Sequence, residues 1–325
     1  MMIRFGIVGT GDIAGRFARA LKGVEGVEAA GISSRSRERG EQFAGKNGVS
    51  CVYEGEEAML ADEAIDVVYV AVPHVAHYDC CLKALRAGKH VLCEKPMCVS
   101  PEEAEALFDE AAQRGLFLME GMWSRFLPNS MLARRWIDEG RIGRVTMIDG
   151  VFSFAVDANA PKPRLVRPEL AGGAMFDLGV YTIEMASYYA GCDPQHWAGF
   201  CEPYCEGTDG AAVLALRYPN GVLATLRMGI TCDVPPMMTI WGEKGHIELP
   251  RFFSGACAVR YVGEALAERC EQNCELPGGF AWEIEAVRDA ILAGCTHNAI
   301  VPPATTIVTA RIMREMMHSF FPERY

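Results

Sequence analysis

The stretch IRFGIVGTGDIA, residues 3–14, decides the fold. Ile3 to Val8 is an apolar run of strand length that breaks at once into Gly9-Thr10-Gly11. Beyond the break, Ile13, Phe17 and Leu21 recur at helical spacing. A strand feeding a helix through Gly-x-Gly-x-x-Ala is a dinucleotide fingerprint, and each small residue has a reason. Gly9 permits the tight turn, Gly11 lets a pyrophosphate approach the backbone, and Ala14 allows close helix–strand packing. The helix N-terminus then faces the phosphates. Thr10, Asp12 and Ile13 complete the candidate nucleotide loop. A tight turn without a nucleotide is the competing reading.

The next hundred or so residues supply the context that the fingerprint needs. Strand patterns at Val27–Ser33, Val49–Tyr53, residues 66–72, His90–Cys93 and residues 116–120 alternate with helical ones. One helix is expected over residues 38–46, stopped by Asn47-Gly48, and another runs to Leu85. A further helix opens at Ser100-Pro101-Glu102-Glu103, a capping box with proline at the first helical position. Such alternation predicts a parallel sheet with right-handed crossovers, an α/β domain over residues 1–122. Beyond it the rhythm changes. A helix near 130–139 leads into a long strand over 144–154, and Gly172–Tyr189 contains a helix. Hairpins are expected around Pro219-Asn220-Gly221 and Glu243-Lys244-Gly245. Residues 123–325 therefore read as an α+β domain with an open, mostly antiparallel sheet, closed by helices at 282–292 and 304–320. The last helix is expected to return and cover a domain.

Composition excludes several function classes. Half of the 325 residues are hydrophobic and 22% are charged, as in an ordinary globular chain long enough for two domains. A net charge of −11 argues against a nucleic-acid partner, since phosphate binding needs clustered cations. No apolar run approaches the length of a transmembrane helix, so no membrane partner is expected. The 13 cysteines have no framework spacing and read as reduced thiols of a cytoplasmic protein. The pairs Cys201/Cys205 and Cys270/Cys274 lack both a close histidine and the usual spacing, so no metal is expected.

The second strand's exit sorts the cofactors. An NAD site usually places an acid there to hold the ribose hydroxyls. This chain has Ser33-Ser34-Arg35-Ser36-Arg37-Glu38-Arg39 instead. Arginine offers a planar fork for a 2′-phosphate that an acid would repel. NADP is therefore expected ahead of NAD, with Ser34 beside Arg35 as the leading ligand and Arg39 its helper. The competing reading is that these arginines only solvate a helix start.

Three further stretches complete a pattern: Val72-Pro73-His74-Val75-Ala76-His77, Cys93-Glu94-Lys95-Pro96 and Gly172-Gly173-Ala174-Met175-Phe176-Asp177-Leu178-Gly179. With the glycine loop, this ordered set resembles the Gfo/Idh/MocA oxidoreductase family along essentially the whole chain. The resemblance implies an N-terminal Rossmann domain, a C-terminal sheet domain that commonly serves as an oligomer interface, and nicotinamide-dependent redox chemistry. Most members carry histidine two residues beyond the glycine of D-x-G, where this chain has Tyr181. Together with residues 119–128, that looks like the branch of dimeric dihydrodiol dehydrogenases and NADP-dependent D-xylose 1-dehydrogenases. In that branch the equivalents of Lys95 and Tyr181 are the catalytic pair, and the arginine spacing at 35 and 39 matches NADP binding. Asp177 joins them as a third catalytic candidate.

The chemistry suits those residue types. Oxidising a secondary alcohol requires a group to take the hydroxyl proton and a cation to stabilise the developing alkoxide. A free phenol, with a pKa of about 10, is a poor base near neutrality, and a lysine within about 4–6 Å would favour its ionised form. Asp177, four residues before Tyr181 on one α-helix, is expected on the same face. Glu94 is a candidate for the nicotinamide ribose and Pro73 for the ring, while His77 stands between a site role and a packing one. Trp123, Arg125, Phe126 and Phe154 are candidates for a substrate wall, with Arg125 on substrate oxygens; a core role competes for each. The expected activity is hydride transfer between NADP and a sugar, cyclic polyol or dihydrodiol, by a homodimer or higher oligomer formed through the sheet. Rival readings are a dehydrogenase of an inositol, anhydrosugar or amino-sugar derivative, and a non-catalytic NADP sensor.

Overall fold

The computed structural model describes residues 2–157, 163–255, 257–271 and 278–324. The chain forms two compact units that interleave in sequence. The first comprises Met1–Cys98, Glu102–Trp123 and Leu276–Pro303, and the second Val99–Pro101, Ser124–Glu275 and Ala304–Tyr325.

The first unit is built on six strands: β1 (Ile3–Val8), β2 (Val27–Ser34), β3 (Cys51–Glu54), β4 (Val67–Val70), β5 (His90–Glu94) and β6 (Leu118–Gly121). All neighbours are parallel and the order is β3-β2-β1-β4-β5-β6. That order reverses between β1 and β4, the switch point outside which doubly wound sheets bind ligands. Helices α1 (Asp12–Leu21), α2 (Arg37–Asn47), α3 (Glu56–Leu60), α4 (His77–Arg86) and α5 (Pro101–Arg114) occupy the crossovers. The central strand β4 is fully buried, as a strand covered on both faces must be. Gly48 ends α2 in the left-handed conformation, φ 69°, as a helix-stopping glycine should.

The second unit holds β7 (Val145–Ser153), β8 (His196–Pro203), β9 (Asp209–Arg217), β10 (Leu223–Gly229), β11 (Val234–Gly242), β12 (Gly245–Pro250), β13 (Cys257–Val262) and β14 (Ala265–Glu271). They form one sheet in the order β14-β13-β12-β11-β7-β10-β9-β8. Every pair is antiparallel except β7 with β10. Both expected hairpins are present, as β9–β10 and β11–β12. Strands β8 and β14, at the two edges of the sheet, escape a reading of the sequence because they carry exposed or polar residues where a half-buried strand shows apolar alternation, and β13, paired with β14, is missed with it. Helices α6 (Pro128–Asp138), α7 (Val180–Ala190) and α9 (Pro303–Phe320) belong to this unit.

Helix α8 (Phe280–Leu292) instead belongs to the first unit. Phe280 is fully buried there with its ring edge-on to Phe17 at 5.7 Å, and Phe17 stacks on Tyr69 of β4. The cluster explains why a segment from late in the chain completes the first core. Burying aromatic rings of this size dominates core energetics.

Candidate active site

The first unit's site begins where β1 ends. Gly9 has φ 112°, and a Cβ there would stand 2.3 Å from the carbonyl oxygen of Ala71, at the exit of β4. No side chain fits at that crossing. Gly11 is the opposite case, since a Cβ there would meet nothing within 4 Å. It caps α1 without any side-chain hydrogen bond, so the helix N-terminus presents bare N–H groups to open space. A cavity of about 350 Å³ lies beside it, lined by Thr10, Gly11, Asp12, Arg19, Arg39 and Lys46 among others. Arg39 donates from Nη2 to Thr10 Oγ1 at 3.1 Å. The bare N-terminus of α1 with one arginine beside it suits a phosphate, so Thr10, Gly11 and Arg39 fit a dinucleotide.

Arg39 lies at this cavity, whereas Arg35, expected to lead, is exposed at the turn between β2 and α2 and is not part of its wall. Ser34 is buried and its Oγ accepts the Ser36 N–H at 3.3 Å, shaping that turn. Ile13 is half-buried at the start of α1. Arg19 and Lys46, in the last turns of α1 and α2, line the groove between these helices, and Arg19 Nη1 donates to Asn47 Oδ1 at 2.6 Å. Only the packing of α1 against α2 places them together.

The Glu94-Lys95-Pro96 segment leaves β5 under three restraints. Tyr69 donates its hydroxyl proton to Glu94 Oε1 at 2.5 Å, the Met97 N–H donates to Glu120 Oε1 at 2.8 Å, and His77 Nδ1 lies 2.8 Å from the Pro96 carbonyl oxygen. His77 Nε2 lies 2.9 Å from the Val72 carbonyl oxygen, and the ring is fully buried. His77 thus ties the loop after β4 to the loop after β5. Pro73 is exposed on the first of those loops. Lys95, half-buried, follows Glu94 through a cis peptide bond to Pro96. Glu94 itself is only 7% exposed, held between the Tyr69 hydroxyl and, at 3.3 Å, the Lys95 N–H. Deeper still, Glu283 of α8 is fully buried, and its carboxyl is raised well above the ordinary range by burial first and by the charge of Glu94 second. Burial and Glu94 likewise raise the Tyr69 phenol, which keeps it a donor.

In the second unit, Asp177 falls inside a π-helical turn, Met175–Gly179, that runs directly into α7. This differs from the single α-helix expected around it. A π turn closes from i to i+5, so four residues no longer complete a turn between Asp177 and Tyr181. Such turns are frequent at functional sites. Asp177 accepts a hydrogen bond from Arg164 Nη2 at 2.8 Å. Arg164 was missed because its loop reads only as irregular in sequence. Tyr181 is 9% exposed, with Phe152 edge-on at 5.7 Å and Phe253 at 6.1 Å. Phe152 stacks on Phe253 at 4.2 Å and approaches Phe154 at 6.2 Å, so an aromatic group surrounds the tyrosine.

The remaining wall candidates are placed inside their units. Trp123 and Phe126 are buried, and Trp123 packs on Phe280 at 5.4 Å. Arg125 is 2% exposed and pairs with the fully buried Glu184 at 2.6 Å, while its Nη2 also donates to the Glu184 carbonyl oxygen. That is the core role of the two held open for it: the guanidinium neutralises a carboxylate that burial raises. Among the described residues, no group of three or more His, Cys, Asp or Glu is arranged to hold a metal. Cys274 and residues 158–162, part of the loop between Asp157 and Arg167, lie outside the described residues.

Comparison with known proteins adds independent findings. Residues 3–122 match the oxidoreductase family model GFO_IDH_MocA, NAD-binding Rossmann fold, and residues 131–248 match the GFO/IDH/MocA C-terminal domain. The chain is 30% identical to the trans-1,2-dihydrobenzene-1,2-diol dehydrogenase of Xenopus laevis, over 98% of both. It is 30% identical to the D-xylose 1-dehydrogenase (NADP(+)) of Hypocrea jecorina, over 97% of this chain and 91% of that one. It is similar in structure to KijD10, a 3-ketoreductase from Actinomadura kijaniata in complex with NADP and TDP-benzene, with a TM-score of 0.85 and 28% identity over 96% of both chains.

Proposed function

Since this chain belongs to the Gfo/Idh/MocA oxidoreductase family, we propose that it is an NADP-dependent dehydrogenase that acts on the CH–OH group of a sugar, cyclic polyol or dihydrodiol. The observation that carries the reading is the β1–α1 junction, where Gly9 crosses Ala71 with no room for a side chain, Gly11 faces open space and Arg39 reaches Thr10. Bound there, NADP would supply a hydride acceptor or donor at its nicotinamide. The phosphates fall to the α1 N-terminus, and the 2′-phosphate falls to Arg39 with Arg35, whose cationic forks suit a dianion.

In this reading Tyr181 takes the hydroxyl proton of the substrate, and Lys95 supplies the cation that favours the phenolate and stabilises the developing alkoxide. Support for Lys95 is the triple restraint on its segment, which aims it rather than leaving it to solvent. Support for Tyr181 is its placement in an aromatic surround with a small exposed fraction, a setting that suits an apolar diol or a sugar ring. Asp177, oriented by Arg164, holds a substrate hydroxyl.

The assembly proposed is a homodimer or larger oligomer through the sheet of the second unit. Trp241, Met147 and Leu223 are cross-strand neighbours on one face, Phe200 pairs with Val213 on β8 and β9, and all five side chains are exposed. Arg217, Arg227 and Thr225 lie between the two groups, and exposed large apolar side chains among polar ones on a sheet face support an interaction site. The cytoplasm is the proposed compartment: every described cysteine is a free thiol, and no helix among the described residues is long and apolar enough to cross a membrane.

Purified protein incubated with NADP⁺ and a panel of sugars, polyols and trans-dihydrodiols should generate reduced nicotinamide. Lys95→Met and Tyr181→Phe should each lower kcat by about 10²-fold or more while NADPH still binds. Full activity in either variant would remove that residue from the chemistry. Tight NADPH binding with no turnover of any substrate would return the chain to the sensor reading.

A further inference from the structure

We infer that Asp209 is a positioning residue for the redox site: its buried carboxylate holds the amino end of the helical segment that carries Asp177 and Tyr181, and Gly173 is glycine because that carboxylate fills the space a side chain would take. The inference rests on the reading of Tyr181 as the proton-transfer group.

Asp209 opens β9 and is fully buried. Its Oδ2 accepts the Met175 N–H at 2.7 Å, and Met175 is the first residue of the π turn. A helix start leaves its first N–H groups without intrahelical partners, and no side chain of the preceding residues caps this one. Asp209 therefore supplies from another strand what a local Ser or Asp usually supplies in sequence. A negative charge there also opposes the positive end of the helix dipole.

The paired glycines fit around this contact. Gly173 has φ 110°, and a Cβ on it would stand 1.9 Å from Asp209 Oδ1. A Cβ on Gly172 would stand 2.3 Å from the Arg164 carbonyl oxygen. The Gly173 N–H donates to the Leu165 carbonyl oxygen at 2.8 Å and the Gly172 N–H to that of Arg167 at 3.0 Å. Gly172-Gly173 is thus pressed between the turn that bears Arg164 and the carboxylate of Asp209, and the same turn sends Arg164 onto Asp177. Nothing but glycine fits either position, which gives the motif a structural cause. The chain from β9 through Gly173 to the π turn fixes where Asp177 and Tyr181 begin, and catalytic geometry tolerates little drift.

Three variants test this, with hydrogen exchange and kinetics read together. Asp209→Ala should raise amide exchange in peptides covering residues 174–181 and leave α9 unchanged. With D-xylose or a trans-dihydrodiol as substrate, it should lower kcat about 10- to 100-fold at nearly constant NADPH affinity, since misplacement of about 1 Å costs that order. Asp209→Asn keeps an acceptor for the Met175 N–H and should recover most of the activity. Gly173→Ala should reproduce the Asp209→Ala kinetics in a folded protein. Unchanged exchange at 174–181 in Asp209→Ala, or no difference between the Ala and Asn variants, would overturn the inference. If Tyr181→Phe retains full activity while Asp209→Ala still loosens 174–181, the catalytic reading fails and the positioning contact stands.

Discussion

Arg125 and Glu184 face each other at 2.6 Å with almost no solvent access, and Thr309 Oγ1 adds a hydrogen bond to Glu184 at 3.0 Å. Removing one member of such a pair strands the other charge. Arg125→Ala should therefore cost about 3–5 kcal/mol of stability in urea unfolding, where a solvated surface arginine costs under about 1. A loss as small as the surface value would contradict the placement. Arg39 makes a separate prediction. Arg39→Ala should weaken NADP far more than NAD in binding titrations, because only NADP carries the 2′-phosphate, whereas equal losses would contradict the phosphate assignment. Arg35→Ala should follow the same direction with a smaller effect, since Arg35 stands outside the cavity wall. Glycine chemistry at positions 9 and 11, and the charged segment after β5, were legible because local residue types announce them. The partners of Arg125, Arg164 and Asp209 were not, because charge alone does not name a partner.

At the scale of elements, the start of the helix bearing Tyr181 carries a pH signature. Burial raises the Asp209 carboxyl from an ordinary 3.8 to about 7, against the lowering pull of the N–H groups of Met175, Asp209 itself and Ala174. Cys201 of β8 is the titratable side chain facing it, and its own thiol is pushed up to about 12 by burial and then by the Asp209 charge. The folded chain therefore binds the Asp209 proton more tightly than the unfolded chain. That contribution to stability is complete below 3.8 and is lost as pH rises through about 7. Urea unfolding across this window should show wild type losing stability relative to Asp209→Asn as pH rises, and a pH-independent difference would contradict it. The strands and helices of the first unit were legible because a parallel sheet buried on both faces writes unbroken apolar runs. The π turn was not, since Met175–Gly179 has the composition of an ordinary helix and the contacts at it, from Asp209 and Arg164, come from other segments.

For the whole molecule, two units with distinct sheets share a chain whose late segment, Leu276–Pro303, returns to the first. Alternating patterns revealed both sheet types, but a helix's allegiance to one core depends on contacts such as Phe280 with Phe17, which periodicity does not encode. The exposed face of the second sheet predicts self-association: Phe200→Glu with Leu223→Glu should shift sedimentation toward the monomer, and an unchanged oligomer would place the interface elsewhere. The roles of Lys95 and Tyr181 are tested most directly by the rate of nicotinamide reduction by wild type, Lys95→Met and Tyr181→Phe, with NADP⁺ and either D-xylose or trans-1,2-dihydrobenzene-1,2-diol. Turnover by wild type that falls about 10²-fold in both variants, with NADPH affinity retained, is the predicted result. Wild-type rates in both variants would contradict it, as would NADPH binding without turnover of any alcohol.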